Sequence, residues 1–91
     1  GTGKTVSETI AQEIQQVDPG FDERMQDLSS SSNLTATQRQ EKYLAEENKL
    51  IDKVDERLMQ VNNALKSDPK NEELLAERAA LHLIQHEAHL L

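Results

Sequence analysis

The apolar residues of this chain recur at helical spacings, and almost nothing along it alternates as a strand would. The first helical stretch is predicted from about residue 5 to residue 17. Its apolar positions step by four, four and three, which places them on one face: Val6, Ile10, Ile14 and Val17. The following Asp18-Pro19-Gly20 should end this helix, since proline lacks an amide proton and disfavours helix in the preceding residue.

A short second helical piece is expected after this break, with Asp18 as its N-cap and Pro19 as its first residue. Its apolar residues are Phe21, Met25 and Leu28. The serines at 29–32 then predict a flexible hinge. We therefore divide the single domain into an N-terminal helical segment, 1–32, broken at 18–20, and a helical hairpin, 33–91.

The main helix of the hairpin is predicted to begin after Thr35 and to run to about Lys66. Thr35 and Gln38 have the spacing of a capping box, in which each side chain bonds the other residue's backbone amide. Its apolar positions follow a heptad, interrupted by the polar Glu47: Leu44, Ile51, Leu58 and Leu65 at one core site, Val54 and Val61 at the other. Such a narrow stripe requires one long helix alongside.

That neighbour is the last helix, which should follow a turn at 67–71 and reach the chain terminus. Asn71 is a favourable N-cap for it. One of its faces continues the heptad: Leu74, Leu81, Ile84, Ala88 and Leu91. The predicted fold is therefore all-α, a long antiparallel helical hairpin with an additional N-terminal helix. It would be either a three-helix bundle or a dimerised hairpin.

The last helix carries a second apolar stripe, separate from the first: Leu75, Ala79, Leu83 and Leu90. A helix with two apolar stripes needs two neighbours. The N-terminal helix, a partner protein or a second copy in a homodimer could each be the second neighbour. We take this stripe as the candidate partner-binding surface, extended by three apolar residues of the first helix: Val6, Ile10 and Ile14.

Composition narrows the classes of function. The 91 residues carry a net charge of −7, which disfavours nucleic acid and anionic membrane surfaces as partners. No apolar run approaches the roughly 20 residues that span a bilayer, so no membrane insertion is expected. Without cysteine there is neither a disulfide nor a thiolate metal site. This leaves cytoplasm and periplasm open, the latter with a leader removed, since the sequence does not begin with Met.

Three histidines near the end of the chain are the candidate metal ligands. His82, His86 and His89 are spaced by four and three, so their imidazoles share one helical stripe. Such a stripe could bind Zn²⁺, Ni²⁺ or Cu²⁺, although exposed helix surface is the simpler interpretation. No arrangement of nucleophile and base is visible, and we expect no enzymatic activity and no required cofactor.

The start of the main helix resembles a known group. The sequence Leu34-Thr35-Ala36-Thr37-Gln38-Arg39-Gln40 is similar to the signature of the periplasmic LTxxQ proteins, which are envelope-stress chaperones and heavy-metal-resistance sensors. The resemblance, over residues 34–91, implies an antiparallel helical hairpin that dimerises into a cradle. Such a cradle binds unfolded clients, a partner sensor or metal. The second LTxxQ of that group is absent here.

The turn of the hairpin resembles a different group. Residues 64–71 and the following Leu74-Leu75-Ala76-Glu77 are similar to the turn of type III secretion needle and rod subunits, and to a tetratricopeptide junction. This resemblance implies a helical subunit that polymerises, but no 34-residue repeat recurs.

From these observations we expect a protein–protein interaction module, an adaptor or chaperone-like hairpin. Two alternatives stay open. One is a metal-responsive periplasmic sensor that uses the histidine stripe. The other is a small helical subunit or chaperone of a bacterial secretion apparatus.

Overall fold

Four α-helices form the described part of the chain, which a computed structural model gives as residues 5–90 without the side chains of Val6 and of residues 88–90. Their bounds are Val6–Val17 for α1, Phe21–Ser30 for α2, Ala36–Ser67 for α3 and Glu72–Leu90 for α4. No residue in this part is in a strand. The all-α prediction is therefore confirmed, and the short second piece after Pro19 is a helix in its own right.

The helix starts are fixed by side chains close in sequence. The Thr5 hydroxyl accepts a hydrogen bond from the Glu8 amide at the start of α1. At the start of α3 the predicted capping box is present: the Gln38 amide donates to the Thr35 hydroxyl, and the Thr35 amide donates to the Gln38 side chain. At α4 the Asn71 side-chain oxygen accepts from the Leu74 amide at 3.1 Å, as expected for an N-cap.

The long helix α3 is the axis of the molecule. Helix α4 runs antiparallel to α3 along the C-terminal half of α3, as the pairs Arg57–Glu77 and Asp55–Gln85 show. Helix α2 lies antiparallel to α3 along the N-terminal half of α3, where Arg24 meets Glu46 and Ser29 meets Tyr43. Helix α1 packs against α3 and α4 of the same chain. The start of α3, which extends beyond α4, is therefore covered by the N-terminal segment of its own chain.

The core lies where α1 and α4 meet the C-terminal half of α3. Val54 and Leu81 are inaccessible to solvent, and Val61 is nearly so. Five more apolar residues are buried around them: Phe21, Leu50, Leu65, Ala80 and Ile84. Burying one large aliphatic side chain stabilises a fold by roughly 1.5–3 kcal/mol, so this cluster is the main source of stability in a chain without disulfides.

The predicted heptad of α3 is wrong in its N-terminal half. Leu44, expected in the core, is 45% exposed, and Ile51 is only half-buried, whereas Leu50 is buried. The buried residues repeat at eleven positions, Leu50 with Val61 and Val54 with Leu65. Eleven residues in three turns is close to the natural period of a straight helix, so the core follows that line and drifts off the heptad.

The expected N-cap role of Asp18 is also wrong. Gly20 occupies the cap position of α2, and the Asp18 side chain is buried against basic side chains. The predicted serine hinge is partly helical, since Ser29 and Ser30 complete α2. The Arg39 guanidinium then donates to the carbonyls of Leu28 and Ser31, which ties the link between α2 and α3 to the helices beside it.

None of the helices described combines the length and the apolar character needed to cross a membrane.

Candidate partner-binding groove

An apolar groove opens between α2 and α4. Within the described residues the backbones of these two helices do not approach each other closely, although both pack against neighbouring helices of the bundle. Helix α3 lies beneath the gap, and α1 lies along one side of it. All four helices contribute side chains to the groove: Ile10, Ile14, Phe21, Met25, Glu47, Leu50, Ile84 and Glu87.

The groove has a buried floor and accessible walls. Phe21, Leu50 and Ile84 form the floor and are each at most 9% exposed. Ile10, Ile14 and Met25 pack against this floor but remain half-buried, so part of their surface faces the groove. The volume is about 260 Å³. The chain thus presents six apolar side chains around a gap that its own helices do not fill.

The groove continues along α1. A second depression of about 310 Å³ shares Ile10, Ile14 and Glu87 with it and adds Asp22 of α2. Three carboxylates from three helices therefore surround the apolar surface: Asp22, Glu47 and Glu87. Among the residues that the structure describes, no lysine or arginine lines either depression.

Helix α1, one wall of the groove, is also held by a buried cluster of charged residues. Glu13 of α1 is 6% exposed and lies beside Glu77 of α4. The Arg57 guanidinium of α3 donates two hydrogen bonds to the Glu77 carboxylate, both at 2.7 Å. We call Glu13, Arg57 and Glu77 the carboxyl junction, because it joins the three helices at one point.

The two carboxyl groups of the junction differ in protonation. Burial raises the pKa of Glu13, and both a hydrogen bond to Glu77 and the negative charge of Glu77 raise it further, to about 7. Hydrogen bonds from Arg57 hold the pKa of Glu77 below its usual range despite burial. Glu77 is therefore the ionised partner of Arg57, and Glu13 can keep a proton near neutral pH. The Oε1 atom of Glu13 is buried and has no hydrogen-bond partner among the described residues.

Helix α2, which contributes Phe21 and Met25 to the groove, is held by a second cluster. The Arg24 guanidinium bridges Asp18 and Glu46, with Nε 2.7 Å from the Glu46 carboxylate. Lys53 of α3 reaches the other oxygen of Asp18 at 3.3 Å. Burial raises the pKa of the Asp18 carboxyl, but the hydrogen bonds from Arg24 and Lys53 outweigh it and lower that pKa overall.

The structure separates the predicted partner-binding residues. Ile10 and Ile14 line the groove, whereas Leu75 packs against the core. At about 100° per residue, Ala79 and Leu83 lie about 160° from Leu81, on the face of α4 turned away from α3. Ala79 is exposed there and Leu83 is half-buried. The side chains of the other two predicted members, Val6 and Leu90, lie outside the described residues.

The predicted histidine stripe is only partly described. His82 and His86 are exposed, one turn apart on α4, and the side chain of His89 lies outside the described residues. Within the residues that the structure describes, no group of three or more His, Cys, Asp or Glu side chains is arranged to hold a metal ion. The metal hypothesis therefore gains no support from the fold.

Sequence reasoning missed both charged clusters, although one signal was available. Glu13 lies three residues after Ile10 and four before Val17, so it falls on the apolar face of α1. Glu47 has the same relation to Leu44 and Ile51, and it lines the groove. A carboxylate within an apolar stripe indicates a buried pairing or the edge of an apolar groove; Glu13 is an example of the first and Glu47 of the second.

Comparison of the chain with family models, with curated proteins and with solved structures finds no match. The groove and the two clusters therefore have to be interpreted from their own chemistry.

Proposed function

We propose that this chain is a non-enzymatic protein-binding module, an adaptor or chaperone-like domain, whose partner inserts apolar side chains into the groove between α2 and α4. The observation that carries this proposal is the accessible apolar surface around that gap, with Phe21, Leu50 and Ile84 as its floor. Contiguous apolar surface with a polar rim is typical of protein interaction sites.

The size of the groove favours side chains over a small molecule. Pockets for small molecules commonly measure about 300–1,000 Å³ and enclose most of the ligand. The part of this groove between α2 and α4 is smaller, about 260 Å³, and it is open to the surface. An apolar cavity of about 150 Å³ holds one benzene, so the groove has room for about two apolar groups of that size.

The two methionines of the chain provide a matched test. Met25 lines the groove, whereas Met59 is 66% exposed on α3 and does not line it. Peptides selected from a displayed library on the wild-type chain should bind Met25→Gln about fivefold more weakly, because a polar amide replaces an apolar contact worth about 1 kcal/mol. Fluorescence anisotropy would measure these affinities.

Met59→Gln is the control and should bind the same peptides as tightly as the wild type. Both variants should keep the circular dichroism of the wild type, since the side chains are similar in size. Selected peptides that bind all three proteins equally would place the binding surface elsewhere and contradict the proposal.

A second binding surface is favoured by one observation, the apolar stripe on the outer face of α4. Half-buried Leu83 and exposed Ala79 lie opposite the core-facing Leu81. We propose that this stripe supports self-association into a homodimer.

A further inference from the structure

We propose that the groove binds a cationic amphipathic helix of a partner protein, with its apolar face in the groove and Lys or Arg side chains against Asp22, Glu47 and Glu87. This inference rests on the proposed function and specifies its partner. It follows from charge, from size and from comparison with a second copy as the alternative occupant.

Most of the other carboxylates that are shielded from water are paired with a cation, and buried Glu13, which lies against Glu77 and can keep a proton, is the exception. Asp18, Glu46 and Glu77 each meet an arginine. Glu47 is half-buried in the same way, but it has no hydrogen bond or ion pair within the described residues. Asp22 and Glu87, which are both exposed, also have no hydrogen bond or ion pair within the described residues.

Three carboxylates that are unpaired within the described residues thus border an apolar surface that no described lysine or arginine lines. Apolar walls strengthen the field of such charges, since they exclude water from between a carboxylate and an incoming charge. The surface is therefore complementary to an apolar segment with positive charges along its edges.

The size of the groove matches one face of a helix. Side chains three or four residues apart on a helix lie about 5–6 Å from one another, so a pair of them forms a compact apolar unit. The groove has room for about two such groups, and its extension along α1 continues past Ile10 and Ile14. Lysine or arginine beside the apolar face of that helix would meet Glu47 of α3 and Glu87 of α4, which both line the groove.

A second copy of this chain is a poorer occupant. A two-fold interface places the same surface of both copies face to face. It would bring two sets of Asp22, Glu47 and Glu87 together, and like charges across an interface oppose binding. The net charge of −7 adds to this repulsion.

The probe that tests the proposal is a synthetic helical peptide of leucine and lysine only, with leucine at helical spacings along one face. Its control is the same peptide with glutamate in place of every lysine. In anisotropy titrations at low salt, the lysine peptide should bind the wild-type chain at least about tenfold more tightly than the glutamate peptide. The difference should shrink at about 1 M salt, where the Debye length is about 3 Å.

Two double variants locate the charges. Glu47→Gln/Glu87→Gln should weaken binding of the lysine peptide about tenfold, because each of the two ion pairs lost should account for about a threefold loss of affinity. Glu41→Gln/Glu56→Gln removes the same charge from exposed positions of α3 outside the groove and should change the affinity less than about twofold. Equal losses in the two double variants would overturn the inference, because binding would then depend on net charge alone.

Failure of this inference is distinguishable from failure of the proposed function. If library peptides that require Met25 are neutral or acidic, the groove binds protein segments but the cationic partner is wrong. If neither the lysine peptide nor any selected peptide depends on Met25, the groove is not the binding site. A dimer of the wild-type chain that Met25→Gln dissociates would identify a second copy as the occupant, which also overturns the inference.

Discussion

Among single residues, Glu13 has the environment least favourable to its charge. It is buried at the meeting point of α1, α3 and α4, next to a carboxylate that already has an arginine. Removing an ionised carboxylate from water is costly unless it is paired, and here the pairing goes to Glu77. The fold accommodates Glu13 most easily as the protonated acid, whose hydroxyl donates a hydrogen bond to the Glu77 carboxylate.

This predicts a stability that falls as pH rises. The usual pKa of Glu13, 4.5, is raised to about 7 in the folded chain. Between these values the unfolded chain releases the proton and the folded chain retains it, so the free energy of unfolding decreases with pH across that interval. The loss should be on the order of 2 kcal/mol and complete above about pH 8. Urea denaturation at a series of pH values would measure it.

The control is Glu13→Gln, whose amide stays neutral at every pH. At pH above about 7.5 this variant should be more stable than the wild type by on the order of 1–2 kcal/mol, with a flatter pH profile. Glu56→Gln, an exposed change of the same kind, should keep the wild-type profile. The pKa values of Asp18, Glu46 and Glu77 are lowered in the folded chain. These three groups therefore make the free energy of unfolding increase with pH, but only at pH below their usual pKa values. A wild-type stability that rises from pH 5 to pH 8 would refute the role of Glu13.

For helices and their connections, the instructive comparison is between the two Asp-Pro turns. Asp18 and Asp68 have nearly the same backbone angles, φ −143° and −142° and ψ 84° and 71°. Each amide donates to the carbonyl four residues earlier, and each carbonyl accepts from the amide three residues later. The backbone of the turn is thus a local property, whereas the surroundings of its aspartate are not: Asp18 is buried and Asp68 is exposed.

The same substitution in the two turns should therefore have different effects. Asp18→Asn leaves Arg24 and Lys53 without their shared carboxylate, and it should lower the free energy of unfolding by about 2 kcal/mol, the scale of a hydrogen bond to a charged group. Asp68→Asn changes an exposed side chain that contacts Asn71, and it should cost less than about 0.5 kcal/mol. Urea denaturation near neutral pH would measure both, and equal losses would show that the turn alone matters.

For the whole molecule, the arrangement of α1 decides which surfaces remain for partners. Helix α1 packs on its own chain, so no second copy is needed to cover the core. It makes one wall of the groove, whereas Ala79 and Leu83 of α4 line neither of the two depressions that form the groove. The predicted single surface becomes two surfaces that separate variants can test.

We expect Leu83→Asp to abolish self-association through the outer face of α4 while leaving the chain helical, because the substitution puts a charge where an apolar contact is needed. Sedimentation equilibrium against concentration would measure this, and circular dichroism would report helix content. Added Zn²⁺ should not change the result. A dimer that persists in Leu83→Asp would rule this face out.

A metal-dependent dimer that His82→Ala/His86→Ala abolishes would instead favour the sensor hypothesis.

The sequence by itself determined the local structure. The helix class, the breaks at the two Asp-Pro turns and the caps at Thr35 and Asn71 were all predicted, and the structure contains each of them. These features depend on residues within about four positions of one another, because backbone hydrogen bonds and capping contacts span only one turn. Ile10 and Ile14 were also identified from spacing alone, although their neighbours in the groove were not.

Only the tertiary structure decided which apolar positions form the core and how the charged residues pair. The core contains Leu50 and not the predicted Leu44 and Ile51, because the positions of α2 and α4 along α3 decide which of its residues are covered. The junction of Glu13, Arg57 and Glu77 joins residues far apart in sequence, and so does the gap between α2 and α4 that forms the groove. Periodicity gives the direction of a side chain about its own helix axis. The neighbour that it meets is set by how all four helices pack to bury the most apolar surface.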